Sequence, residues 1–140
     1  AAALVAGLLG GYALRETLAP VTEQNGRMVA TGAIAGALDT QLASTSTGED
    51  SVRVRLTFRD ASGDVCRSFD ARAVSGVACR ESGGWSIRAL FAHDGPPDGT
   101  YRMAGTASPA AVAYVDTIIV GEAFDAEAEK RAMQSGWASR

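Results

Sequence analysis

Val52-Arg53-Val54-Arg55-Leu56-Thr57-Phe58-Arg59 is the stretch that decides the fold. Apolar side chains at the even positions alternate with polar ones, a period of two that belongs to a strand with one buried and one wet face. Asp60-Ala61-Ser62-Gly63-Asp64 follows with the turn chemistry of a hairpin. The pattern predicts further strands from Val65 to Asp70 and from Ser75 to Arg80. After the Ser82-Gly83-Gly84 breaker, Trp85, Ile87, Ala89 and Phe91 mark a fourth strand. Tyr101 to Ala104 would add a short edge strand beyond the loop Asp94 to Gly99. Short connections between such strands give an antiparallel meander with one face to cover. Val52, Val54, Leu56, Phe58, Trp85, Ile87 and Phe91 are expected on that core side.

Working outward, helices are expected at both ends, which makes the fold class α+β: a four- to five-stranded antiparallel sheet covered by N- and C-terminal helices. Ile34, Leu38 and Leu42 form one stripe of a helix over 28–42, with Gly32 and Gly36 lowering its propensity. Ser44 to Ser51 reads as a loop. Ser108-Pro109 is a helix start, and Val112, Val115 and Ile119 give the helix a buried stripe until Gly121. The β-branched residues of that run would also suit a buried strand. Asp125 caps a last helix through Ser135, supported by a Glu127–Arg131 pair, stopped by Gly136 and docked by Phe124, Ala128, Ala132 and Trp137.

The chain opens on Ala1 rather than Met, as a piece of a longer protein would. Ala1 to Leu14 is apolar throughout and ends at Arg15, short of the roughly 20 residues a spanning helix needs. We read 1–15 as the outer end of a truncated membrane helix, with Gly7 and Gly11 as a small-xxx-small pair. A signal-peptide core or an ordinary buried helix are the competing readings. Residues 16–27 read as a polar connector broken by Pro20 and Asn25-Gly26, and 28–140 as one extracytoplasmic domain.

The chain's 140 residues include 46% hydrophobic and 21% charged, the balance of a globular domain rather than a disordered chain. A net charge of −3 argues against a nucleic-acid partner, because phosphates call for a basic surface. Lys130 is the sole lysine among 13 basic residues. Arginine forks would suit an anionic partner, yet the accompanying Ala and Gly fit a GC-rich coding sequence equally well.

Two cysteines, Cys66 and Cys79, are separated by twelve residues. They form no CxxC motif, and without more Cys or paired His they build no zinc site. If the second and third strands pair Phe69 with Gly76, Cys66 falls opposite Cys79, within disulfide reach. Such a bridge would contribute about 3 kcal/mol and calls for an oxidising compartment. In a reducing compartment two buried thiols would be the reading instead. A cysteine hydrolase would need His93, the one histidine, as base, with Asp94 or Asp116 to orient it. No G-x-S-x-G elbow, phosphate-cradling glycine loop or clustered carboxylate set accompanies it, so neither catalytic residue, cofactor nor metal is assigned. Asp116 reads as a surface position on a half-buried helix.

Phe58-x-x-x-x-Gly63-x-x-Cys66-Arg67-x-Phe69 is followed by Gly76-Val77-Ala78-Cys79-Arg80 and Gly84-Trp85. Val115-Asp116-x-x-Ile119-x-Gly121 and Glu129 through Gly136-Trp137 extend it. In these features the chain resembles the periplasmic part of proteobacterial membrane-anchored anti-sigma factors, a class of single-pass transmembrane transcriptional regulators. The resemblance implies an inner-membrane protein with this domain in the periplasm. It further implies that an extracytoplasmic-function sigma factor is held by a cytoplasmic domain absent from this chain. The outer domain would then receive a signal, contact a periplasmic protein or protease, or shield a cleavage site, without catalysis. A periplasmic binding or inhibitor module unrelated to transcription is the alternative.

Overall fold

The computed structural model describes residues 20–72, 74–92 and 107–139. The apolar start at 1–15, His93 and Asp94, the loop at 94–99 and the edge strand expected at 101–104 lie outside the described residues. Within them the fold is α+β, as the alternation implies. β1 (Val21–Gln24), β2 (Arg27–Ala30), β3 (Val52–Arg59), β4 (Val65–Ala71), β5 (Val74–Glu81) and β6 (Gly84–Ala92) form one antiparallel sheet. Its spatial order is β1-β2-β6-β5-β4-β3. Three α-helices accompany it: α1 (Gly32–Thr40), α2 (Pro109–Ile118) and α3 (Ala126–Gln134). Among the described residues no helix is long and apolar enough to cross a membrane.

The six strands exceed the four or five expected because the presumed connector is itself a hairpin. Asn25 and Gly26, at φ 52° and 75°, make a two-residue left-handed loop between β1 and β2. The helix expected over 28–42 is correspondingly shorter. Arg27–Ala30 is drawn into the sheet through Val29, which pairs with Ser86, and the helix begins only at Gly32. Gly32 adopts φ 54°, a backbone break that the Ile34–Leu38 stripe could not reveal. Ile34 and Leu38 are buried as expected, while Leu42 falls beyond the helix and is half-buried.

A second correction concerns the faces of the sheet. β3 pairs Val54 with Phe69 and Leu56 with Ser68, so Arg55 is an extra, bulged residue. A one-residue slip sends all later side chains to the other side. Val52 and Val54 therefore join Phe69, Trp85, Ile87 and Leu90 beneath α1 and α3. Leu56 and Phe58 instead pack with Cys66, Val77 and Cys79 against Val115 of α2. Arg88 is a matching bulge in β6, and Phe91 beyond it meets Tyr114 of α2, ring centroids 6.1 Å apart. The molecule has three layers, with helices on both faces, rather than one covered face.

The helix ends follow local chemistry. Ser108 caps α2 by accepting from the Ala111 N–H, with Pro109 in the first turn. Its inward side is Ala111 and Val115, whereas Val112, expected in the stripe, is exposed. Asp125 Oδ1 accepts from the Ala128 N–H at 2.8 Å and starts α3. Glu127 meets Lys130 at 3.7 Å, not Arg131 as expected. Gly136 ends the helix at φ 70°.

Candidate functional site

The register of β4 and β5 sets Phe69 opposite Gly76 and Cys66 opposite Cys79, the pairing expected from their spacing. The two cysteines form a disulfide with Cα atoms 4.0 Å apart, wholly buried under α2. Asp60 has a carboxylate oxygen within 4.8 Å of both sulfurs. The sulfurs are joined to each other, so the group offers a metal only that one carboxylate.

On the opposite face the same strands present Arg67, fully buried. A guanidinium there must be paired or it would not be tolerated. Its Nε donates to Thr57 Oγ1 at 3.0 Å, Nη1 to Leu38 O at 2.6 Å, and Nη2 to Gln41 O at 2.5 Å and Glu129 Oε1 at 2.7 Å. The plane lies over the Trp137 ring, 4.3 Å from its centroid. Glu129 in turn accepts from Thr57 Oγ1 at 2.6 Å and from the Ala43 N–H at 3.0 Å. Burial pulls the Arg67 pKa down from its usual value, while the Glu129 hydrogen bond and charge pull it up. The cation persists, because guanidinium basicity lies far above physiological pH.

Arg67 thus ties the carbonyls at the end of α1 to a carboxylate on α3 over β4, the strand next to the β3 edge. A second polar link lies beside it. Asp39 Oδ1 accepts from Arg80 Nη1 at 2.9 Å and from Trp85 Nε1 at 2.8 Å, while Asp39 O accepts from Trp137 Nε1 at 3.1 Å. Trp85 and Trp137 meet edge to face with centroids 5.8 Å apart. Trp137 has φ 62°, a costly conformation for an aromatic residue that its burial and its N–H bond to Ala132 O offset.

The residues quoted for the resemblance are thereby divided between the two faces and the turns. Cys66, Cys79 and Phe58 lie under α2, while Arg67, Phe69, Arg80, Trp85 and Trp137 gather around α1 and α3. Gly76 lies against Phe69, where a Cβ would come within 2.6 Å of the ring. Gly63 and Gly121 hold positive φ in turns, and Gly84 opens β6. These positions hold the fold together; they form no shared cleft. Asp116 is exposed, as expected.

Sequence reasoning missed Thr57, Asp39 and Gln41, and named Glu129 only within the resemblance, without its pairing to Arg67. The structure shows why an acid was needed: Val65-Cys66-Arg67-Ser68-Phe69 is buried at every position, as a strand covered on both faces must be. An arginine inside such a run requires an acid elsewhere. The identity of that acid was not readable.

A cavity of about 310 Å³ opens between the first turns of α2 and strands β3 and β4. Comparisons with protein-family models, curated proteins and solved structures returned no match.

Proposed function

We propose that this chain is the non-catalytic outer domain of a membrane-anchored anti-sigma factor, held at the inner membrane by 1–15 and working in the periplasm. The observation that carries the proposal is the buried Cys66–Cys79 disulfide. A bridge of this kind supports an oxidising compartment. It also removes the thiolate that a Cys66 or Cys79 hydrolase would require. Arg67 bonds both the carbonyls at the end of α1 and Glu129 of α3, and so links the segment that follows 1–27 to the last helix. Through it, a partner or protease acting on the outer domain would alter the segment leading to the membrane. Contact with the sigma factor belongs to the cytoplasmic domain outside this chain.

The test is made in the host bacterium on the full-length gene product. Alkaline phosphatase fused after Arg140 should be active, and deletion of 28–140 should change expression from a promoter dependent on the cognate extracytoplasmic-function sigma factor. An inactive phosphatase fusion would reject the periplasmic location. An active fusion with unchanged promoter output would reject the anti-sigma role. That second result would favour a periplasmic binding module unrelated to transcription, a reading supported by the cavity beside α2.

A further inference from the structure

The bulge at Arg55 turns Leu56 toward α2, and the alternation of β4 turns Ser68 and Asp70 the same way. Between them and the start of α2 lies the 310 Å³ cavity, whose apolar wall is made by Leu56, Ala111, Val112 and Val115. This is the lower end of the range for small-molecule sites, with space for about ten waters. Its walls are mostly apolar, so water there is poorly held.

Two polar groups break that pattern. Ser68 is only 7% exposed, and its hydroxyl has no hydrogen-bond partner among the described residues. The residue lines the cavity, so an incoming ligand group could hydrogen-bond to its hydroxyl in place of water. Asp116 lines the same cavity from α2, exposed and without an ion-pair partner among the described residues. The other charges in the wall, Arg55 and Asp70, are bound to each other at 2.5 Å. The Ser108 hydroxyl is engaged by the Ala111 N–H and Pro109 has no N–H, which weakens the helix start as an anion site. Among the charged residues of the described wall, Asp116 is thus the one that no partner in the wall neutralises.

We infer that this cavity is a binding site for a small amphipathic amine: an apolar body seated on Leu56, Ala111 and Val115, a hydrogen bond to Ser68, and a cationic head toward Asp116. The inference concerns binding by the domain itself and does not depend on the anti-sigma reading. A promoter assay and a binding assay fail separately.

The 140-residue chain is titrated with hexylamine, hexanol and hexanoate at neutral pH, following backbone amide shifts by NMR. Hexylamine should bind with a dissociation constant of about 1 mM or tighter, with shifts gathered at 55–56, 68–70 and 107–116. Hexanol should bind more weakly and hexanoate weakest. Val112→Trp, at an exposed position on the cavity wall, should block the site while leaving the remaining spectrum in place. Ser68→Ala should weaken hexylamine about 3- to 10-fold, the loss of one hydrogen bond. Asp116→Asn should abolish the preference for the amine over the alcohol. The inference is overturned by hexanoate binding as well as hexylamine, by shifts centred elsewhere, by undiminished binding to Val112→Trp, or by no shift up to about 10 mM.

Discussion

At the scale of single residues, the molecule depends on a charge that has no access to water. Arg67 and Glu129 are both buried, and each depends on the other. Removing one partner strands the other in an apolar interior, a loss of about 3–5 kcal/mol, whereas replacing both with apolar residues of similar volume is often close to neutral. Arg67→Ala should therefore destabilise the domain by that amount in urea unfolding. The double variant Arg67→Met, Glu129→Met should recover most of the loss. Fluorescence of Trp85 and Trp137, the chain's two tryptophans, reports the transition from the centre of the affected region. If the double variant is as unstable as the sum of both single ones, the pair is not a coupled unit. Gly76 is a residue-scale constraint of another kind. A Cβ there would lie 2.6 Å from Phe69 Cζ and 2.8 Å from Leu90 Cδ2. Gly76→Ala should cost about 1–3 kcal/mol by overpacking, and combining it with Phe69→Leu should cost less than the two changes added.

At the scale of elements, the outer strand β3 shows how a sheet edge is managed. The free edge of β3 is closed by other parts of the chain. Gln41 accepts from the Val54 N–H at 2.7 Å and donates to Val52 O at 3.0 Å, one side chain doing the work of a neighbouring strand. Farther along, Phe124 N–H reaches Thr57 O and Val120 N–H reaches Arg59 O. An uncovered edge is a template for pairing with another chain. Gln41→Ala should cost about 1–3 kcal/mol and increase self-association, read by light scattering against concentration. An equally stable, strictly monomeric variant would show that the edge needs no cover. Elements are also where sequence and structure part company most instructively. The strands from β3 to β6, the Ser108 and Asp125 caps and the disulfide register were legible, because each is written in local periodicity or a local side-chain bond. The β1–β2 hairpin was not, since four-residue strands carry too little alternation to outweigh an Ile34–Leu38 stripe nearby. The bulges at Arg55 and Arg88 were hidden for a different reason. Nothing in Val52–Arg59 breaks the alternation; the break lies in how β4 pairs with it. The groove beside α2 exists only because of that slip, and so could not be read from the sequence either.

At the scale of the whole molecule, the disulfide and the Arg67 link hold opposite sides of one sheet. Cys66 and Arg67 are adjacent in β4, so their side chains leave the strand in opposite directions. One is tied sideways to β5 beneath α2, the other upward to α1 and α3. Reduction of Cys66–Cys79 should therefore be felt first at the α2 layer, while the Arg67 layer keeps its own bonds. The bridge closes a short loop, with a sequence separation of 13, worth about 3 kcal/mol by chain entropy. For a domain of this size that corresponds to a fall in melting temperature of about 10 °C on reduction. Both sulfurs are buried, so neither cysteine should react with an alkylating reagent until a reductant is present. Immediate alkylation of the purified chain would mean that free thiols exist, and the hydrolase reading would regain its nucleophile. If the chain is protected but melts at the same temperature when reduced, the staple contributes nothing to folding stability. Its presence would then mark only the compartment in which the chain folded. A lowered melting point together with α2 amides that exchange sooner than those of α1 and α3 would establish the layered arrangement. In that case the α2 cavity lies in the layer whose stability the disulfide controls, and reduction should weaken hexylamine binding well before the domain unfolds.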